Sequence, residues 1–228
     1  MQTRETIASR IREALRAQGV LIAAHRGTTG GNIVENTTDA YQNALLHGAD
    51  IVEMDIVRSV DGKLFLFHDG NEKRLLQCDR NILTMGSKEI ESFTYRNPIQ
   101  HSVNVRVNRL EDALRFLKGR ALINADRCWD HWLPVFEQVG QAEMFDQVVF
   151  KSPVRDDLLD ILEAYPVPVL YMPIVRSLED VERTLSRKNL NTVGLEMVFD
   201  REDSPLADPE RIARWKETGL FVWANPIT

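Results

Sequence analysis

The chain has 228 residues, 43% of them hydrophobic and 27% charged, a balance that suits one large globular domain, 1–228, better than two. Its 34 acidic and 28 basic residues leave a net charge of −6 with no basic stripe, which argues against a nucleic-acid partner. No apolar run approaches the roughly 20 residues of a membrane-spanning helix, and two cysteines, Cys78 and Cys128, make no disulfide framework, so a reducing, cytoplasmic setting is expected.

In chain order, the first segment is TIASRIREALRAQG, which interleaves three arginines with Ile7, Ile11 and Leu15. This is helical spacing and not the apolar core of a signal peptide. A helix packed on the domain is expected over one lying on a membrane. A short apolar strand over 20–24 then stops at His25, Arg26 and Gly27. A loop with Gly30 and Gly31 leads through Glu35, Asn36 and Thr37 into a helix predicted over 37–47. The next strand is predicted over 51–57. Residues 58–109 break the rhythm: Asp61-Gly62 is a turn signal, 63–68 alternates like a strand, and the remainder is polar and irregular. This stretch reads as an insertion after the second strand, on the C-terminal face of a barrel.

Alternation then resumes. Helices are predicted over 110–118, 132–139, 156–164, 178–188 and 209–218, between strands over 121–125, 147–150, 167–171, 192–198 and 220–224. Ser177 with Asp180 three residues later is close to a capping box, and Asp208 before Pro209 is a good N-cap. Gly119, Gly140 and Gly219 are placed at helix ends. The strands are apolar on both faces, as in a sheet covered by helices. Seven such strands without a Pro/Gly/Ser-rich linker predict an α/β fold, a (β/α) barrel, over two domains. The chain stops at FVWANPIT on the seventh strand, and a closed eight-stranded barrel needs one more strand and helix.

The charged residues at strand ends carry the chemistry. Glu53 and Asp55, two apart in IVEMDIV, share one face of a strand. Two like charges there are costly unless a cation answers them, either a hard divalent ion, Mg²⁺ or Ca²⁺, or salt bridges from Arg or Lys. Asn124 and Asp126 repeat the spacing on the next barrel strand, and three carboxylates favour the metal. Asp126 alone would read as an N-cap or turn residue. His25 and His68 each end an apolar run. One such histidine is commonly structural, but two beside carboxylates suit a general base and a general acid. His47, His101 and His131 read as surface or capping residues. Arg26 offers a donor fork to phosphate, or pairs with Glu35 or the metal carboxylates. Lys151 could meet a phosphate or neutralise Asp126. Glu196 is a substrate contact or the partner of Lys151, and Trp223 walls a pocket or sits in the core.

The motifs HRG, ENT, GADIVEMD and DGKLFLFHD resemble the glycerophosphodiester phosphodiesterase family, whose HRG, ENT, ExD, DG and HD motifs run in this order at similar spacings. NRLEDAL resembles the family's segment before the second barrel helix, and FVWAN its late vWtvN strand, so the resemblance covers nearly the whole chain. It implies a TIM-like (β/α) barrel with a small insertion after strand 2, here lacking the last strand and helix. It implies one divalent ion on Glu53 and Asp55, with Asp126 as the third ligand by position, His25 and His68 as the acid-base pair, and Arg26 and Glu35 lining the phosphate site. The implied reaction is hydrolysis of glycerophosphodiesters. A glycerol hydroxyl attacks phosphorus, the alcohol leaves, and water opens the cyclic phosphate to glycerol 3-phosphate.

Two departures stand out. Where the family has a glutamate and then a lysine, as in IEIK, this chain has Asp126 and Cys128, and Lys151 is the expected replacement for the lysine, with Arg127 a second candidate. The family's closing strand and helix, with its TD.P signature, have no counterpart, so a fragment is expected, or a short form that closes by forming a homo-oligomer. The rival readings are a truncated, non-catalytic barrel that binds phosphate ligands, and a phospholipase acting on lysophospholipids or phosphatidylinositol.

Overall fold

The computed structural model describes residues 7–226; Thr6 of the predicted first helix and the last two residues of FVWANPIT lie outside the described residues. The chain forms two compact units, divided between Val148 and Val149.

The first unit begins with α1 (Ile7–Gln18), β1 (Ala23–Ala24), α2 (Thr38–Leu46) and β2 (Ile51–Arg58). It continues through β3 (Leu64–Leu66), α3 (Glu72–Leu76), α4 (Ser87–Ser92), β4 (Thr94–Arg96) and β5 (Ser102–Arg106). It ends with α5 (Leu110–Leu117), β6 (Leu122–Asp126) and α6 (Trp132–Gln141). Strand β2 pairs in parallel with β1 on one side and β6 on the other. Its residues 52–57 are all buried, as a strand covered on both faces requires. The register sets Glu53 opposite Asn124 and Asp55 opposite Asp126.

Strand β1 is shorter than the predicted 20–24. Val20 and Ile22 are exposed, and the Asp50 carboxylate takes the Ile22 N–H at 2.9 Å, so only the Ile22 carbonyl, accepting from Asp50 N and Ile51 N, meets the neighbouring main chain there. The insertion is also more ordered than its sequence suggests. Strand β3 runs antiparallel to β2, β4 and β5 make a hairpin, and Phe67, Leu75, Ile82, Met85, Ile90 and Tyr95 belong to one core beneath them. Short elements contribute one or two apolar residues each, so no single period betrays them. Buried Glu72 fastens this core by accepting from Gly70 N at 2.7 Å and Ile82 N at 2.8 Å. Gly119 follows α5 with φ +74°, as a helix end demands, but Gly140 lies within α6, which runs on to Gln141. A Cβ at Gly140 would stand 3.2 Å from the Phe145 ring.

The second unit is a parallel sheet in the order β7 (Val148–Pro153), β8 (Leu170–Val175), β9 (Gly194–Phe199), β10 (Phe221–Pro226). Helices α7 (Asp156–Ala164), α8 (Leu178–Leu185) and α9 (Pro209–Glu217) connect the strands. Strand β8 starts later than the predicted 167–171, because Pro166 and Pro168 have no N–H to give a ladder. Ser177 and Asp180 form the capping box, and Asp208 accepts from Glu210 N and Arg211 N at the head of α9. Arg187 binds Asp156, Asp160 and Glu163, joining the end of α8 to α7. Among the described residues neither cysteine forms a disulfide, and no helix is long and apolar enough to cross a membrane.

Candidate active site

The turn out of β1 needs a backbone that most residues avoid. Arg26 has φ +58° and Gly27 φ +79°. A Cβ on Gly27 would lie 2.7 Å from Ala40, so only glycine lets this turn approach α2. The turn presents the Arg26 N–H to Glu53 Oε2 at 2.8 Å and receives Asn36 N on the Arg26 carbonyl at 3.0 Å.

Each residue of ENT does something different. Glu35 accepts from Arg26 Nη1 at 2.9 Å and from Arg74 Nη2 at 2.8 Å. Burial alone would raise its pKa, but the Arg74 and Arg26 bonds outweigh burial and hold it below the usual range. Asn36, at φ +56° and 1% exposed, donates Nδ2 to Asp55 Oδ2 at 2.9 Å. Its Oδ1 accepts from Asp55 N at 3.0 Å and from the Tyr41 hydroxyl at 3.2 Å. Thr37 caps α2, its Oγ1 accepting from Ala40 N at 3.2 Å.

Glu53 and Asp55 are each 1% exposed, and Asp126 is partly buried beside them. One oxygen from each of the three lies within 4.8 Å of the others. Oxygens about 2.4 Å from one ion can stand at most about 4.8 Å apart, so the cluster fits a single hard cation. Burial drives the Asp55 carboxyl above its ordinary pKa, and Asp126 adds to the rise, against the lowering pull of Asn36, Arg26 and His68. Arg26 Nε forms an ion pair with Asp55 Oδ2 at 2.9 Å. Buried Asn124, opposite Glu53, has neither amide atom hydrogen-bonded among the described residues. An orphaned amide beside three carboxylates is a donor set made for a cation and its water.

His68 donates Nδ1–H to the Asp69 carbonyl at 2.8 Å, which leaves Nε2 for chemistry. Asp69 in turn receives Arg127 Nε at 2.9 Å and Nη2 at 2.7 Å. Arg127 is therefore committed to Asp69, and its N–H also binds Asp126 Oδ1 at 2.7 Å, the turn role open to an aspartate. His25 ends β1 on the exposed side, one residue before Arg26. In the second unit, Lys151 Nζ donates to Glu196 Oε2 at 3.0 Å, both side chains buried, and lies 5.7 Å from the centre of the Trp223 ring. Of its two readings, Glu196 takes that of partner to Lys151.

His47 and His101 are exposed as expected, and His47 is the C-cap of α2. His131 is partly buried and stands at the N-cap of α6 without a side-chain capping bond, and burial pushes its pKa down. Sequence reasoning missed the buried bonds of Asn36 and Tyr41 and the reach of Arg74. The ENT motif was the signal for Asn36. No periodicity brings position 74 to position 35.

The sequence model of the glycerophosphoryl diester phosphodiesterase family matches residues 25–222. The lysophospholipase D GDPD3 of Mus musculus is 32% identical over 74 residues, 32% of this chain and 22% of that protein. The glycerophosphodiester phosphodiesterase of Caldanaerobacter subterraneus subsp. tengcongensis is 26% identical over 132 residues, 58% of this chain and 45% of that one. The matches thus span less than half the length of these two curated relatives. An Oleispira antarctica phosphodiesterase, solved in complex with the product sn-glycerol-3-phosphate, is similar with a TM-score of 0.72 at 21% identity, over 92% of this chain and 85% of that one. That likeness carries the fold, a TIM-like (β/α) barrel. Since the match starts at the histidine that ends β1 and runs into β10, the chain belongs to the glycerophosphoryl diester phosphodiesterase family.

Proposed function

We propose that the chain is a metal-dependent phosphodiesterase that hydrolyses glycerophosphodiesters to glycerol 3-phosphate and an alcohol. The observation that carries this reading is the buried cluster of Glu53, Asp55 and Asp126, tied to Arg26 and neighboured by His68. One divalent ion, Mg²⁺ or Ca²⁺, on those three carboxylates would supply charge neutralisation to phosphoryl oxygens. His68 Nε2 and His25 serve as the proton carriers, one taking the proton of the attacking glycerol hydroxyl and the other protonating the leaving alcohol. Arg26 has Nη1 on Glu35 and Nε on Asp55, and its Nη2 is the donor for phosphate. Glu35 orients Arg26. Lys151, with Glu196 and Trp223, takes the place of the family lysine. The single-domain reading rests on the family match, which runs through both units. The cytoplasmic setting is supported by the two cysteines, Cys78 and Cys128, forming no disulfide.

The test is release of glycerol 3-phosphate from a glycerophosphodiester mixture, with Mg²⁺ or Ca²⁺, with and without EDTA, beside His25→Ala. Release that needs both the ion and His25 is the expected result. No release from folded protein would favour the phosphate-binding barrel instead. The name of the mouse relative supports a second substrate class, lysophospholipids, tested by release of choline from lysophosphatidylcholine, with lysophosphatidic acid as the other product.

A further inference from the structure

Between the loop that leads from β1 to α2 and the insertion lies a cavity of about 350 Å³, a size suited to a small molecule. Glu35, Arg74 and Arg96 give it charge, and Ile33, Leu75 and Pro98 give it an apolar wall. Glu35 is answered twice, by Arg26 and by Arg74. Arg96 is different. Its Nε is buried and meets no hydrogen-bond partner, and no carboxylate pairs with it among the described residues. Alternation along β4 explains its place: Tyr95 is fully buried in the insertion core, and Arg96 faces the cavity. One carboxylate against two guanidiniums leaves the wall positive in a chain whose net charge is −6. A guanidinium with a buried, unsatisfied N–H is costly, and an anion is the ligand that relieves it. The cavity is joined to the acidic cluster through Glu35, which holds Arg26, which in turn pairs with Asp55.

We propose that this cavity receives the alcohol half of the diester, and that Arg96 selects alcohols carrying an anion of their own, a carboxylate or a phosphate, on a short apolar stem. The words "alcohol half" rest on the hydrolase reading. The carboxylates and histidines handle the glycerol end and the phosphorus, so the second ester arm extends toward Glu35 and the insertion.

The experiment uses matched substrate pairs that differ by one anion. Glycerophosphoserine is compared with glycerophosphoethanolamine for the carboxylate, and glycerophosphoinositol 4-phosphate with glycerophosphoinositol for the phosphate. In Arg96→Met, the preference in kcat/KM for the anionic member of at least one pair should fall roughly tenfold, through KM and not kcat, the loss expected for one charge-assisted hydrogen bond. Arg96→Lys should restore part of it. The pair that responds identifies the anion. An unchanged preference in both pairs overturns the proposal. If the wild type turns over no diester, the hydrolase reading fails by itself. Calorimetric binding of the same four compounds then decides: weaker binding of an anionic member to Arg96→Met keeps the anion site, and equal binding removes it.

Discussion

Asn36 uses its amide three times, on the Asp55 carboxylate, the Asp55 N–H and the Tyr41 hydroxyl, all in buried surroundings. Asn36→Ala would strand these groups at once, at about 1–3 kcal/mol for each one left unsatisfied. Urea unfolding should show a loss of at least that size, and activity should fall with it because the Asp55 carboxylate loses its orienting donor. Glu35 makes a pH-dependent contribution. Its folded pKa lies below the ordinary 4.5, so its stabilisation is present above that value and disappears as pH falls through the folded value. The stability gap between wild type and Glu35→Gln should therefore be constant above about pH 5 and close below the ordinary value. A gap that stays open in acid would contradict the ion-pair assignment. At this scale the carboxylates were legible because alternation on a strand fixes which residues share a face. Asn36 was half legible: its position in ENT drew notice, but a left-handed turn, not a period, decides where its amide goes.

The turn at Gly27 and the cap at Thr37 fix where α2 starts relative to β1. Gly27→Ala forces a left-handed alanine and a 2.7 Å contact with Ala40, so a loss above the ~1–3 kcal/mol of backbone strain is expected. Thermal melting would measure it, and a variant as stable as wild type would show that α2 can shift freely. Helix starts marked by a cap fell where predicted, at α8 with its capping box and at α9 with Asp208 and Pro209. Helix α7 matched 156–164 at both ends without a side-chain cap, while α8 ends at Leu185, short of the predicted 188. Strands without such signals were placed less well. Strand β1 lost residues 20–22 because a carboxylate 28 positions away from Ile22 claims its N–H. The insertion hid its order because its core is assembled from one or two apolar residues of each short element and from residues between them, such as Phe67, Ile82 and Met85.

For the molecule as a whole, an ion held by Glu53, Asp55 and Asp126 would link ligand to stability. A divalent ion that binds only the folded chain should add about 2.7 kcal/mol at 100 times its Kd. Melting curves in Mg²⁺, Ca²⁺ and EDTA should show the shift in wild type and not in Asp126→Asn. A wild type indifferent to both ions would remove the metal from the reading. The seven parallel strands, three in the first unit and four in the second, were legible from alternation alone, since helices covering both faces leave apolar runs in the sequence. The separate core of the insertion has a consequence for the choice of ligand. Its residues pack on one another and on Val34 and Val57, and its charged link to Arg26 passes through Arg74 and Glu35. Substitutions at Leu75, Arg96 and Pro98 would thus reline the cavity while Arg26 and the carboxylates of β2 and β6 keep their places, so a change of ligand would call for a new lining and not for a rebuilt site.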